Sequence, residues 1–219
     1  MSCRAPPGAL SSEVVDEPQL LLQAQQGDLD SFNRLVLAHQ ERAFNLAYRI
    51  LGETAAASDA TQQAFLSVFR SLRSYRGGSF RSWVLRIVTN ACYDELRRRK
   101  RRPAISLEEL GDGEAEGETD AWERLAVDPQ AGPEDAVLQR ERVRAIESCL
   151  EGLPLDFRTV AILSDVQGLP YEEIANVIRA PVGTVKSRLA RARARMRDCL
   201  EGHGELFGPE RRLTDRALP

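Results

Sequence analysis

Residues 171–200 read YEEIANVIRAPVGTVKSRLARARARMRDCL, and this stretch decides what kind of fold the rest of the chain completes. Tyr171 opens a short segment that puts Ile174, Ala175 and Ile178 on one side, the spacing of a helix. Ala180, Pro181, Val182 and Gly183 interrupt it. A second periodic segment, 184–200, then aligns Val185, Leu189 and Met196. A short helix and a longer one joined by a tight turn have the proportions of a helix-turn-helix. The longer helix carries Lys186, Arg188, Arg191, Arg193, Arg195 and Arg197 against a single acid, Asp198. Thr184 can cap its start, and the backbone N–H groups there can take a phosphate. Lys186 and Ser187 fall in the first turn, where a recognition helix meets base edges. Arg188, Arg191 and Arg195 follow at spacings of three and four, suited to phosphates or guanine edges. A basic helix can also be merely solvated, but the turn, the short helix before it and the basic excess together favour duplex DNA.

Outward toward the N-terminus, 134–150 carries Val137, Leu138, Val143, Ile146 and Leu150 and is broken by Gly152 and Pro154. A helix over 155–166 follows, closed by the turn Gln167, Gly168, Leu169, Pro170. Residues 135–201 therefore form one small helical domain, with 202–219 as a tail. Before it, between Pro103 and Asp135, lie eleven acids and one base, three prolines before Glu134 and few large apolar side chains. Such a segment buries too little surface to offset its ordering entropy, so 103–134 reads as a flexible acidic linker. Its Ile105, Leu107, Leu110, Trp122, Leu125 and Val127 leave open a segment that docks on a partner.

Beyond the linker, 18–102 is helical throughout. From Phe32 the apolar residues Leu35, Val36, Ala43, Leu46, Ala47 and Ile50 make one stripe, with Asp28 or Ser31 as cap and Gly52 at the stop. A helix over 54–73 groups Ala60, Ala64, Phe65, Val68, Phe69 and Leu72 and ends at the Gly77, Gly78 loop. Ser79 caps a third long helix whose stripe is Phe80, Trp83, Val84, Ile87 and Ala91, and His39 is placed near the polar edge of its own helix. The third helix runs into the six-cation block 97–102 before Pro103. One or two cations would satisfy the helix dipole; six adjacent ones repel, which favours a polyphosphate partner. Trp83, Arg86, Asn90 and Tyr93 on the same helix combine aromatic, guanidinium and amide groups of the kind that hold an unstacked base, although Trp83 also reads as core. With no alternating stretch, the fold class is all-α: two small helical domains joined by the linker, after a disordered extension over 1–17.

Composition excludes several classes. The chain has 219 residues, 30 Lys plus Arg and 33 Asp plus Glu; removing the linker's charges leaves the two helical parts net basic, so the net charge of −3 is no argument against a polyanion. No apolar run is long enough to span a membrane and no secretory leader is evident, which predicts a cytoplasmic protein without membrane insertion. Cys3, Cys92, Cys149 and Cys199 are scattered, with only His39 and His203 as companions, so neither a zinc site nor a disulfide framework is expected, Cys92 and Cys149 read as packed thiols, and no cofactor is implied. No phosphate-binding loop, metal cluster or nucleophile with a base argues for an enzyme.

The segments SDATQQAF (58–65), YRGGSFRSWVLRIVTN (75–90), GLPYEEIA (168–175) and PVGTVKSR (181–188) resemble, in order, the two domains of an extracytoplasmic-function sigma factor of the sigma-70 family. The resemblance covers about 18–102 and 135–200. It implies a non-enzymatic initiation factor whose first domain binds the β′ clamp of core RNA polymerase through Asp59, Gln62, Gln63 and Phe65. That domain would open the minus-ten element with Arg76, Ser79, Phe80, Trp83, Arg86, Asn90, Arg97, Arg98 and Arg101. The second domain would lie at the β flap and read the minus-thirty-five element with Thr184, Lys186, Ser187, Arg188, Arg191 and Arg195. The family often has an acid where this chain has Gln63, and Arg179 stands where a small turn residue is common. An anti-sigma factor is a further implied partner. The alternative is a stand-alone helix-turn-helix regulator that binds duplex DNA as a dimer, against which the 59–65 segment and the basic helix end both speak.

Overall fold

A computed structural model describes residues 16–101 and 132–207. The N-terminal extension, nearly all of the acidic linker and most of the tail lie outside the described residues. Among the described residues every regular element is a helix: α1 (Glu17–Gln25), α2 (Leu29–Leu51), α3 (Thr54–Ser71) with a 3-10 turn (Leu72–Ser74), α4 (Phe80–Arg101), α5 (Pro133–Glu151), α6 (Leu155–Ala161) running into a π turn (Ile162–Val166), α7 (Tyr171–Ile178), α8 (Val182–Glu201) and a last single turn (Gly204–Phe207). The expected all-α class is what the chain adopts.

Local chemistry sets the helix ends. The Asp28 carboxylate accepts the Ser31 N–H at 3.1 Å and starts α2. Those bonds from Ser31 hold the Asp28 carboxyl below its ordinary pKa. Gly52, at φ 72°, closes α2 by donating its N–H to the Tyr48 carbonyl at 2.7 Å. Ser79 accepts the Ser82 N–H at 3.2 Å and starts α4 as expected. At α8 the expectation fails. Pro181 occupies the cap position, so the helix begins at Val182, two residues early, and Thr184 sits inside its first turn rather than capping it.

α2, α3 and α4 pack into a bundle crossed by α1, with Leu35, Leu46, Ile50, Val68, Val84 and Val88 at its centre. α6, α7 and α8 form the second unit around Val160, Ile162, Leu163, Ile174, Val185 and Leu189. Fully burying one such side chain stabilises by about 1.5–3 kcal/mol. The two units also pack on each other, and their buried residues form one contiguous cluster. α7 packs along α4, and on α4 Leu85, Val88 and Cys92 are buried, while the expected stripe residues Trp83, Ile87 and Ala91 are only partly so.

Side-chain bonds fasten the units together: Tyr93 donates to the Thr159 hydroxyl at 3.0 Å, Gln167 to the Arg42 carbonyl at 3.2 Å, and Ser82 to the Glu173 carboxylate. The half-buried Arg158 guanidinium also donates to the Ile50 carbonyl at 3.3 Å and to the Glu151 and Leu153 carbonyls, and burial lowers its pKa from the ordinary value.

Other expectations are corrected. His39 is buried, not at a polar edge: its Nε2 meets the Glu17 carboxylate at 3.0 Å and its ring packs edge-on against Phe80, which anchors α1. Phe69, expected in the core stripe, is 45% exposed. Val137 and Ile146 of α5 are also exposed, because α5 turns Ala145 and Cys149 inward together with the expected Leu150. Cys149 is not a free packed thiol; it forms a disulfide with Cys199, so the reading of the cysteines as unpaired is wrong for this pair.

Candidate nucleic-acid interface

The α7–turn–α8 unit brings together most of the residues singled out for duplex DNA. α7 ends on Arg179 in the left-handed region at φ 53°, ψ 49°, with its N–H on the Ala175 carbonyl. A side chain in that conformation costs roughly 1–2 kcal/mol, which is why glycine is usual there. The turn then swings α8 across α7, burying Val185 and Leu189 and leaving Lys186, Ser187 and Arg191 exposed on the outer face. Pro181 supplies no side-chain cap; Thr184 and Val185 donate their N–H groups to its carbonyl at 2.9 and 3.2 Å, which leaves those of Val182 and Gly183 to take an anion.

The cations of α8 are not all equivalent. Lys186 lies over the Tyr171 ring at 5.9 Å and Arg195 over the Phe157 ring at 5.3 Å, contacts that orient them without neutralising their charge. Arg188 is drawn to Asp156 of α6 at 2.6 Å. Arg193 forms a fork with Asp165 at 2.6 and 3.2 Å, and its pKa is raised by that bond. Arg193 therefore fastens α8 to the π turn, a role that composition did not separate from its neighbours.

The second surface is the N-terminal part of α4 with the loop before it. Gly77 and Gly78 sit at φ 102° and 94°, conformations that side chains rarely adopt. The Tyr75 hydroxyl donates to the Gly78 carbonyl at 2.7 Å, and Gln25 of α1 donates to the Leu72 and Tyr75 carbonyls, both at 3.0 Å. The loop is thus built and held, and Gln25 is a supporting residue that sequence reasoning missed. Arg76 and Ser79 are exposed on it. Phe80 is 2% exposed and packs with Tyr75 and Trp83 at ring distances of 5.6 and 5.7 Å, so it supports the loop from beneath rather than offering a contact surface. Trp83, Arg86 and Asn90 are half-buried. Ser82 and Tyr93, which bond to the C-terminal unit, are eleven residues apart, about three full turns, so that unit lies along the face carrying Arg86 and bordering Asn90.

At the far end of α4, the cationic block is partly neutralised from within the chain. Arg97 pairs with Asp94, Arg98 with Glu95, and Arg99 with both Glu95 and Glu53, at 2.6 to 3.0 Å. These pairs offset part of the repulsion that the sequence alone suggested. The Arg97–Asp94 pair is exposed on both sides, so it contributes little and can be exchanged for phosphate, whereas Glu95 is half-buried.

A third surface is formed by α2 and α3. Asp59, Gln62 and Gln63 are exposed on α3. Gln62 stands between a polar hollow containing Asp59, Gln63 and Arg98 and an apolar groove lined by Phe32, Val36, Phe44, Phe65 and Phe69. Phe65 is half-buried, resting on the core while lining the groove. Leu66 and Phe69 continue the groove at 50% and 45% exposure, an apolar patch that helical spacing had assigned in part to the core.

Comparison with known proteins agrees with this geometry. A model of Sigma-70 region 2 matches residues 35–102 and a model of Sigma-70, region 4 matches 143–196. The chain is 37% identical over 179 residues to the RNA polymerase sigma-H factor of Pseudomonas aeruginosa, covering 81% of this chain and 90% of that one. It is 34% identical over 183 residues to the ECF RNA polymerase sigma-E factor of Escherichia coli K12, covering 83% and 93%. A third relative, the ECF RNA polymerase sigma factor SigE of Mycolicibacterium smegmatis, is 37% identical, and the match spans 81% of this chain and 65% of that protein's length. The solved structure of CnrH in complex with the cytosolic domain of CnrY superposes at a TM-score of 0.59 with 25% identity, covering 85% of this chain and 97% of that one. The sigma factor RpoE of Bartonella quintana, solved with the anti-sigma factor NepR, shares the fold at a TM-score of 0.57 and 23% identity, covering 78% and 96%. Two region models in order, on two helical units, with relatives matched over most of their length, place the chain among the extracytoplasmic-function sigma factors of the sigma-70 family.

Proposed function

We propose that this chain works inside the cell as an alternative sigma factor that binds core RNA polymerase, selects promoters and opens them, with no covalent chemistry of its own. The observation that carries this reading is that one chain presents an α3 surface beside an apolar groove, a braced glycine loop on α4 and a basic recognition helix, in the order of the two matched regions.

In this account Asp59, Gln62 and Gln63 meet the polar side of the polymerase β′ clamp helices, and Phe65 with its groove receives their apolar side. The C-terminal unit sits at the β flap. Lys186, Ser187 and Arg191 enter the major groove of the minus-thirty-five element, where each bidentate base contact discriminates by about 1–3 kcal/mol. Arg195 and the N-terminus of α8 take phosphates. Arg188 joins the groove contacts when it exchanges Asp156 for a base or phosphate, and Thr184 flanks them from the first turn.

On α4, Arg76, Ser79, Trp83, Arg86 and Asn90 hold an unstacked base of the minus-ten element, and Arg97, Arg98 and Arg101 follow the backbone. Strand opening is driven by differential affinity: the pocket binds the flipped base and not the stacked one, which offsets an unstacking cost of a few kcal/mol. Because the C-terminal unit lies along this α4 face, it has to move off before the strand can be seated. An anti-sigma factor that stabilises the closed packing would hold the protein inactive.

The test is co-elution of the full chain with core polymerase, compared with Asp59→Arg and Gln62→Arg. Both positions are exposed, so neither variant perturbs the core. A stable complex that either substitution weakens supports the reading; no complex, or one indifferent to both substitutions, overturns it.

A further inference from the structure

Cys149 and Cys199 join the end of α5 to the end of α8 through a disulfide, their Cα atoms 5.8 Å apart across a sequence separation of 50. Four residues after Cys199, where α8 has closed at Glu201, the chain turns back and brings His203 beside the bridge. A ring nitrogen of His203 and the two sulfurs all lie within 4.8 Å of one another. Cys149 is buried at 3% exposure, while His203 is exposed, so the cluster has one wall in the core and one side open to solvent.

Two thiolates and an imidazole are the donors of a borderline-soft cation, and the absence of oxygen from the set disfavours magnesium or calcium. Zinc takes sulfur at about 2.3 Å and nitrogen at about 2.0–2.1 Å in a tetrahedron, which asks its donors to stand about 3.5–3.8 Å apart. The Cys149, Cys199 and His203 donor atoms, all within 4.8 Å of one another, stand close enough to reach that spacing once the sulfurs are no longer joined.

We propose that, in the reduced protein, Cys149, Cys199 and His203 form a three-ligand zinc site with a fourth position open to water. A dithiol reductant supplies two electrons and two protons to the Cys149–Cys199 bond, giving two thiols while the reductant becomes a disulfide. Zinc then binds both sulfurs as thiolates and the two thiol protons pass to solvent. The bridge and the cation exclude each other because they use the same sulfurs, and each ties the end of α8 to α5. The site stands on this geometry alone and does not depend on the transcription reading.

The experiment uses the full chain with Cys3→Ser, so that the remaining terminal thiol cannot compete. The protein is reduced, freed of reductant without oxygen, and titrated with cobalt(II) as a spectroscopic probe, followed by zinc. One equivalent should give a thiolate-to-cobalt charge-transfer band with the visible absorption of a four-coordinate ion, and zinc should abolish both. The oxidised protein should give neither. Cys199→Ser should remove the charge-transfer band, and His203→Ala, on the exposed side, should weaken cobalt binding by at least roughly tenfold. Far-UV circular dichroism verifies that each variant is folded, and if Cys199→Ser is not, His203→Ala carries the test. No charge-transfer band in the reduced chain, a band that survives in folded Cys199→Ser, or equal affinity in His203→Ala would overturn the assignment.

Discussion

Thr159→Val tests whether the closed packing of the two units limits access to α4. Thr159 is completely buried, lies on neither DNA-facing surface, and accepts the Tyr93 hydroxyl at 3.0 Å across the boundary between the units. Valine keeps the shape and removes the acceptor. Tyr93 is already partly desolvated, since burial raises its phenol above the ordinary pKa, so in the closed state of the variant its hydroxyl is left without that partner. A lost hydrogen bond of this kind weakens the closed state by about 1–2 kcal/mol, which shifts the balance toward the open state by roughly 5- to 30-fold. In the proposed function a single strand binds only where α4 is uncovered, so its apparent affinity should rise by up to that factor. The assay is fluorescence anisotropy of a minus-ten-like single-stranded oligonucleotide, with the radius of gyration from small-angle scattering measured in parallel. Tighter binding together with a larger radius is the expected result. A folded variant whose affinity and radius both match the parent would refute the idea that this interface gates the strand-binding face.

Arg179→Gly should raise the denaturant midpoint, by about 1 kcal/mol of stability, because glycine relieves the left-handed backbone at φ 53°. Arg195→Ala should weaken duplex binding across sequences and lower the slope of log affinity against log salt by about 1, measured by anisotropy titrations at several salt concentrations. Reducing the Cys149–Cys199 bridge should cost about 4 kcal/mol in zinc-free buffer, from the loop entropy of its 50-residue separation, read as a drop in melting temperature. Burial pushes the Cys92 thiol up from 9.0 to about 12, so it should resist alkylation in the folded protein at pH 8. The sign for stability follows: the folded state holds this proton more tightly, so its contribution is complete below about pH 9 and falls away as the pH rises toward 12.

Much of the fold was legible because it is built from local signals. Asp28, Gly52 and Ser79 mark helix ends by bonding their own neighbours, and the helical spacing of Leu35, Leu46 and Ile50 needs no knowledge of what they pack against. What was not legible depends on partners distant in sequence. Leu85, Val88 and Cys92, themselves spaced by three and four, are buried while Trp83, Ile87 and Ala91 are only partly so, and which of these two stripes is covered depends on the helices packed around α4. His39 is buried because Glu17 and Phe80 come to it from other helices.

In the candidate site, the arginines of α8 look alike in the sequence. Asp165 commits Arg193 to the fold and Asp156 draws Arg188 inward, while Lys186 and Arg191 stay exposed. The disulfide was missed for the same reason: 50 residues separate its cysteines, and only the packing of the end of α8 against the end of α5 brings them together. The spacing of Cys199 and His203 was on view, but carried no weight without Cys149 beside it.

The most direct test of the central claim is transcription by core bacterial polymerase on a promoter library, with and without this chain, read out by start site. The account predicts starts that appear only with the protein, share two short upstream elements, and are lost with Asn90→Ala or Lys186→Glu. No new starts, together with tight duplex binding by the protein alone, would contradict it and favour a stand-alone helix-turn-helix regulator.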